Sequence, residues 1–187
     1  MVNLLVYGGY HRDYIYTNHL SVGLSNLDNI NTFPIFYNSS KNKIIKRKNH
    51  YFPPIKKIKG FLEDLIVKNN ITHIINYNTN HFSAYLIDLF KRSHNLKIGA
   101  YYNDCPFSSH LSKQIYYKNQ KNAFSKYDHI FVYRNEDKVK FTKEYRIENS
   151  NITVVPPSCP EKKYLNLIKS TRKYSFDFAF IGHYAPD

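Results

Sequence analysis

Four short stretches of this sequence gather residue types that can handle hydroxyls, phosphates and protons. The first is Tyr101-Tyr102-Asn103-Asp104-Cys105-Pro106-Phe107-Ser108. A carboxylate at Asp104 can take a proton from a sugar hydroxyl or orient that hydroxyl, with Asn103 beside it and Pro106 fixing the turn. An Asx turn or a helix cap by Asp104 accounts for the same residues without chemistry. The second stretch is Tyr133-Arg134-Asn135-Glu136-Asp137. Arg134 can clamp a phosphate or carboxylate through two parallel N–H donors. Asn135 reads as a helix cap, and Glu136 and Asp137 as first-turn carboxylates that complement the helix dipole. The third, Asn76-Tyr77-Asn78-Thr79-Asn80-His81, suits a hydroxyl-rich ligand through Asn78 and His81, although ordinary loop polarity explains it equally well. The fourth is Gly8-Gly9, where bare backbone lets an anion approach the N–H groups of a following helix. That pair lacks the third glycine of a dinucleotide fingerprint and the G-K-[ST] of a P-loop, and a tight turn is the commoner reason for it.

The elements that must present these stretches are written in the apolar pattern. Short apolar runs alternate with helix-period segments, the signature of βα units and a parallel sheet. Strands are expected at Val2–Tyr7, Phe33–Tyr37, His73–Tyr77, Lys97–Tyr102, His129–Tyr133, Ile152–Val155 and Phe176–Gly182. Several are continuous apolar runs, as in sheets covered by helices on both faces. Ile55, Ile58, Leu62, Leu65 and Ile66 share one helical face, as do Phe82, Leu86, Leu89 and Phe90, with Ser83 as the cap of the second helix. A first helix is expected from about Asp13, and others over Ser108–Phe124, Asn135–Tyr145 and Glu161–Thr171. Asn38–Pro54 reads as an exposed loop. The prolines of Pro156-Pro157-Ser158-Cys159-Pro160 form the strongest break in the chain. All four chemical stretches therefore fall at strand ends, where open parallel sheets bind ligands.

The totals narrow the function classes. The chain has 187 residues, 42 % hydrophobic and 17 % aromatic, a globular composition with enough length to bury a core. No run approaches the length of a membrane span, and the start reads as a buried strand and not as a signal peptide, which implies a cytoplasmic protein. Cys105 and Cys159 are too few for a disulfide framework or zinc knuckle and read as free thiols. The nine histidines form no HExxH or paired i, i+4 pattern, so no metal is expected. Net charge is +13. An abundance of Lys, Asn, Ile and Tyr, all with A/T-rich codons, explains much of it. The local run Lys41–Lys48 (KNKIIKRK) is suited to an anionic membrane surface.

The segments YYNDCPFS, FVYRNED, VVPPS and FDFAFIGHY together resemble bacterial GT-B glycosyltransferases of the CgeB-like branch, near glycosyltransferase families 1 and 4. The likeness rests on Asn103, Asp104, Pro106, Phe107 and Ser108, then Tyr133 and Arg134, then Phe180, Ile181, Gly182 and His183. Cys105 departs from it, standing where the family carries a further acidic residue. The resemblance implies two Rossmann-like domains facing a cleft. Residues 1–157 would be the acceptor-binding domain, and 158–187 a linker and the first strand of a nucleotide-sugar-binding domain that continues past Asp187. It further implies no bound cofactor, a nucleotide-sugar donor as substrate, and a cell-surface glycan or lipid-linked acceptor. Asp104 would be the base or the carboxylate that orients the acceptor hydroxyl if the enzyme inverts, with donor contacts from Gly8, Gly9, Gly182 and His183 and substrate contacts from Asn78, His81, Asn103 and Arg134. Two rival classes fit the same sequence. A nucleic-acid module would use the charge with tyrosines as stacking platforms, although the aromatics sit mainly in the expected core. A non-catalytic α/β domain would bind a ligand at the same edge.

Overall fold

The computed structural model describes residues 1–8, 11–37, 43–77, 79–103, 105–118 and 120–155, those of 11–16, 43, 46 and 47 by their backbone alone. Six strands form one parallel sheet: β1 (Val2–Gly8), β2 (Ile30–Phe36), β3 (His73–Tyr77), β4 (Lys97–Tyr102), β5 (His129–Val132) and β6 (Ile152–Val154). Their order across the sheet is β2-β1-β3-β4-β5-β6. The helices are α1 (His11–Leu24), α2 (Lys43–Tyr51), α3 (Ile55–Lys68), α4 (Ala84–His94), α5 (Leu111–Tyr117) and α6 (Asn135–Tyr145), with 3-10 turns at Lys121–Lys126 and Asn149–Asn151. This is the α/β Rossmann-like architecture that the alternating pattern implies.

Strand alternation sorts side chains onto two faces. Leu5, Tyr7, Ile74, Ile98, Ala100, Tyr102, Ile130 and Val132 belong to one apolar core, together with Ile58, Leu62 and Ile66 of α3, Leu86, Ile87 and Phe90 of α4, and Phe141 of α6. Helix α1 packs against β1 and β2. There the Thr32 hydroxyl donates to the Ser21 carbonyl at 3.2 Å. Pro34 sits in β2 opposite Val6. It is tolerated because β2 is an edge strand, so its missing N–H breaks no ladder.

Local signals set several boundaries. The Ser83 hydroxyl accepts from the Leu86 N–H at 3.3 Å and caps α4, as its position in the sequence implies. Asn95 closes the same helix in the left-handed conformation. The Pro54 carbonyl accepts from Lys57 and Ile58 at the start of α3.

Elsewhere the structure corrects the expectation. The supposed loop Asn38–Pro54 contains α2, because residues 43–52 hold no proline or glycine and are rich in good helix formers. The single helix expected over Ser108–Phe124 is two short pieces, α5 and the 3-10 turn, joined through Gln120, whose side chain is turned into the core. Asn135 is the first residue of α6 and not its cap. Arg134 occupies the cap position without a side-chain capping bond. β2 starts three residues before the expected Phe33, and β5 stops one before Tyr133. The helix expected at Glu161–Thr171, the strand at Phe176–Gly182 and the proline break lie outside the described residues.

Candidate functional site

Chain order and sheet order diverge at one place. From β1 the chain goes outward to β2, and from β3 it goes the other way to β4, so β1 and β3 flank a topological switch point. At such a point the connections diverge and leave a crevice beyond the carboxyl ends of the strands. Gly8 ends β1 there, paired in register with Tyr77 at the end of β3 and with Phe36 at the end of β2. Its carbonyl accepts from the Tyr37 N–H at 3.2 Å. Gly9 and Asn78, the residues that follow those two strand ends, lie outside the described residues, as do Asp104, Gly182 and His183.

Tyr77 and Tyr101 stack at this edge, with ring centroids 5.1 Å apart and planes 10° from parallel. They are register partners on β3 and β4 and so share a face of the sheet. The Tyr101 hydroxyl donates to the Val155 carbonyl at 3.3 Å. Burial, with a smaller contribution from Tyr133, raises its pKa above that of an ordinary phenol, which keeps it a hydrogen-bond donor.

The loop after β3 turns inward. His81, expected at a ligand, is 1 % exposed. Its Nδ1 lies 2.7 Å from the Tyr7 hydroxyl, and its ring meets Tyr37 edge-on. Burial, and then the neighbouring His50, push its pKa down to about 3, so the imidazole is neutral at physiological pH. Asn76 Nδ2 donates to the Thr79 carbonyl at 3.0 Å and to the Tyr127 hydroxyl at 2.8 Å. Gln120 Nε2 donates to the Phe82 carbonyl at 3.0 Å, while its Oε1 accepts from the Tyr102 hydroxyl. As placed, His81 and its neighbours hold the loop against the core and do not reach solvent. Composition could flag these polar residues but not their partners.

The ends of β4 and β5 converge instead. Register places Tyr102 of β4 beside Val132 of β5. Arg134 Nε donates to Asp137 Oδ2 at 3.1 Å, with the Arg134 side chain 45 % exposed and that of Asp137 3 %. Cys105, from the neighbouring turn, is a half-buried free thiol. Burial raises its pKa, the Phe107 backbone N–H opposes that, and Asp137 adds to it. Cys105, Arg134 and Asp137 thus form one cluster drawn from two motifs, in which the sequence offered Asp137 only as a dipole partner. Asn103 stands at the same edge, and its Oδ1 is buried without a hydrogen-bond partner. Ser21 Oγ, Asn76 Oδ1 and Asn80 Oδ1 are unpartnered too, but on fully buried residues; Asn103 is half-buried at a strand end, where an incoming donor would be rewarded. Among the described residues no group of three or more His, Cys, Asp or Glu is placed to hold a metal ion.

No protein-family model matches this chain. Comparison with curated protein sequences also gave no match. Solved structures do match. Staphylococcus aureus MnaA, solved with UDP, superposes with a TM-score of 0.61 at 11 % identity over 82 % of this chain and 43 % of its own. The UDP-GlcNAc 2-epimerase of Neisseria meningitidis, bound to UDP-GlcNAc, gives 0.62 at 12 % identity over 82 % and 45 %. That of Rickettsia bellii gives 0.61 at 12 % identity over 91 % and 50 %. The described residues share the α/β Rossmann-like fold of part of these structures. At such low identity the likeness concerns the fold, and the chain spans about half the length of the structures it matches.

Proposed function

We propose that this chain is the acceptor-side Rossmann half of a two-domain enzyme acting on nucleotide sugars, and that the reaction is glycosyl transfer. The observation that carries the reading is the juxtaposition at one sheet edge of a glycine-ended switch strand, an unsatisfied Asn103 carbonyl oxygen and the half-exposed Arg134. It is supported by the solved structures of the same fold, two of which hold UDP or UDP-GlcNAc.

In this reading the backbone at Gly8-Gly9 approaches the diphosphate. Arg134 supplies a fixed positive charge, and Asn103 accepts from an acceptor hydroxyl. Asp104 takes the proton from that hydroxyl as its oxygen bonds to the sugar's anomeric carbon and the bond from that carbon to the diphosphate breaks. Most of the rate would come from positioning and from stabilising the leaving diphosphate. Gly182 and His183 would open the second domain, which carries the rest of the donor site. The isolated 187-residue chain is then inactive, and detectable transfer by it alone would refute the half-enzyme reading.

A second reading, epimerisation of a nucleotide sugar, is favoured by the names of the matching structures. One experiment separates the two. The protein, encoded with whatever follows Asp187 in its reading frame, is incubated with UDP-GlcNAc with and without glycan acceptors, and free UDP and sugar products are resolved by chromatography. A transferase releases UDP only when acceptor is present. An epimerase changes the sugar while UDP stays attached and needs no acceptor. If UDP-GlcNAc and other nucleotide sugars neither bind nor react, both enzyme readings fall and the non-catalytic domain takes their place.

A further inference from the structure

Helix α2 presents its two isoleucines outward, while Tyr51 packs against the core. Ile44 is 79 % exposed, Ile45 45 % and Phe52 65 %. At 100° per residue these three and Lys48 fall within one arc of about 100°. The Phe52 N–H donates to the Lys48 carbonyl at 2.9 Å, so the helical spacing extends to Phe52. The other side of the helix is the anchored one. The His50 ring lies 4.6 Å from that of Tyr116 on α5, and the His50 carbonyl accepts from Asn80 Nδ2 at 2.9 Å. A surface helix that buried its apolar side in its own domain would have the opposite arrangement.

The charge around this stripe is of one sign. Between Asn29 and Leu62 there is no Asp or Glu, against Lys41, Lys43, Lys46, Arg47, Lys48, Lys56, Lys57 and Lys59. Exposed aliphatic and aromatic side chains within a basic field suit the interface of an anionic lipid bilayer. There the apolar stripe enters the acyl boundary, while lysines keep their ammonium groups at the headgroups. A nucleic acid would use the cations but has no need of two isoleucines. An acidic protein partner is the other chemistry such a surface could meet, and the run of eight cations without a carboxylate over residues 30–61, around exposed isoleucines, favours an extended anionic surface.

We propose that α2 and the start of α3 form a docking surface for anionic membrane lipid, seating the molecule peripherally with Ile44, Ile45 and Phe52 inserted. The chain contains no tryptophan, so a single Phe52→Trp substitution gives a clean fluorescent reporter. A matched control is Tyr85→Trp, on the exposed side of α4. The full 187-residue chain is mixed with phosphatidylcholine vesicles that contain phosphatidylglycerol, and with phosphatidylcholine vesicles alone. The expected result is a blue shift of the Phe52→Trp reporter with the anionic vesicles only, no shift for the Tyr85→Trp control, and loss of the shift at high salt. In co-sedimentation, Ile44→Glu with Ile45→Glu lowers partitioning by roughly tenfold or more. Its circular dichroism stays that of the parent chain, because those side chains face solvent. The proposal is overturned if neither vesicle shifts the reporter, or if the double variant partitions as the parent does. It is equally overturned if an oligonucleotide gives the shift in place of lipid, or if the reporter is already blue-shifted in buffer, which would mean that protein covers the face.

Discussion

The edge of the sheet that carries the candidate site has two halves, built from similar residue types to opposite ends. Beyond β3, the segment Thr79–Phe82 is polar in sequence yet buried in the structure. The Tyr7 hydroxyl pairs with the His81 ring, Asn76 Nδ2 and Gln120 Nε2 donate to the Thr79 and Phe82 carbonyls, and Asn80 Oδ1 is buried without a partner. Beyond β4 and β5, Asn103, Cys105 and Arg134 remain half-buried or exposed, and the Asn103 Oδ1 has no partner. Asn76 Oδ1 and Asn80 Oδ1 in the first half lack partners as well, but those residues are sealed in the core, whereas Asn103 is half-buried and Arg134 exposed, where a ligand can reach. The distinction lies in exposure and not in residue type.

The scaffold half should be the more sensitive to mutation. Gln120 is fully buried and serves the Phe82 carbonyl and the hydroxyls of Tyr102 and Tyr127. Gln120→Leu preserves volume but strands those groups, at an expected cost of about 3 kcal/mol in chemical denaturation. A loss below about 1 kcal/mol would mean that the loop is held by apolar packing alone, and the contrast between the halves would weaken.

His81 makes the same half sensitive to pH. Its pKa in the folded chain, about 3, lies below the 6.5 of an unperturbed histidine. The unfolded chain therefore binds the extra proton first. The contribution of His81 is complete above pH 6.5 and is lost as pH falls from there toward 3, by about 1.4 kcal/mol for each pH unit in that window. Thermal unfolding followed across this range should show a steep acid slope in the parent chain and a shallower one in His81→Gln. Equal slopes would move the acid sensitivity to other groups.

What the sequence disclosed follows the same division. Continuous apolar runs such as Lys97–Tyr102 and the three-and-four spacing in α3 are short-range signals, and those elements appear as read. The Ser83 cap is local too. The fate of His81 was not legible, because its partner Tyr7 is 74 residues away, and that of Asn76 depends on Tyr127, 51 residues on. For α2 the error had a different source. Its isoleucines face outward while His50 and Tyr51 make its inner side, and a basic, polar stretch with that pattern reads as a loop. The Arg134–Asp137 pair spans only one helical turn and was within reach of the spacing, but Asp137 has an equally good local explanation at the helix N-terminus.

On the binding half, Arg134→Ala removes the half-exposed partner of a buried carboxylate. The stability cost is about 1 kcal/mol, since solvent already screens the guanidinium. The larger effect is expected on UDP-sugar affinity, a loss of roughly tenfold in calorimetry, with Arg134→Lys failing to restore it because an ammonium cannot reproduce the planar fork. A full rescue by lysine would reduce Arg134 to a general positive charge.

Asn103→Ala should have the smallest effect on stability and so sharpens the comparison most. Its Oδ1 accepts no hydrogen bond from the protein, so truncation relieves a desolvated acceptor and removes no native bond to it. The denaturation midpoint should move by no more than about 0.5 kcal/mol in either direction, within the ordinary range for substitutions that break no special feature. Ligand affinity should fall several-fold in the same variant, because in the proposed reading a ligand hydroxyl satisfies this oxygen. If stability drops by about 2 kcal/mol or more while affinity is unchanged, Asn103 belongs with Asn76 and Gln120 as scaffold. The two halves of the edge would then be one structural device, and the ligand would have to be sought nearer Gly8 at the switch point.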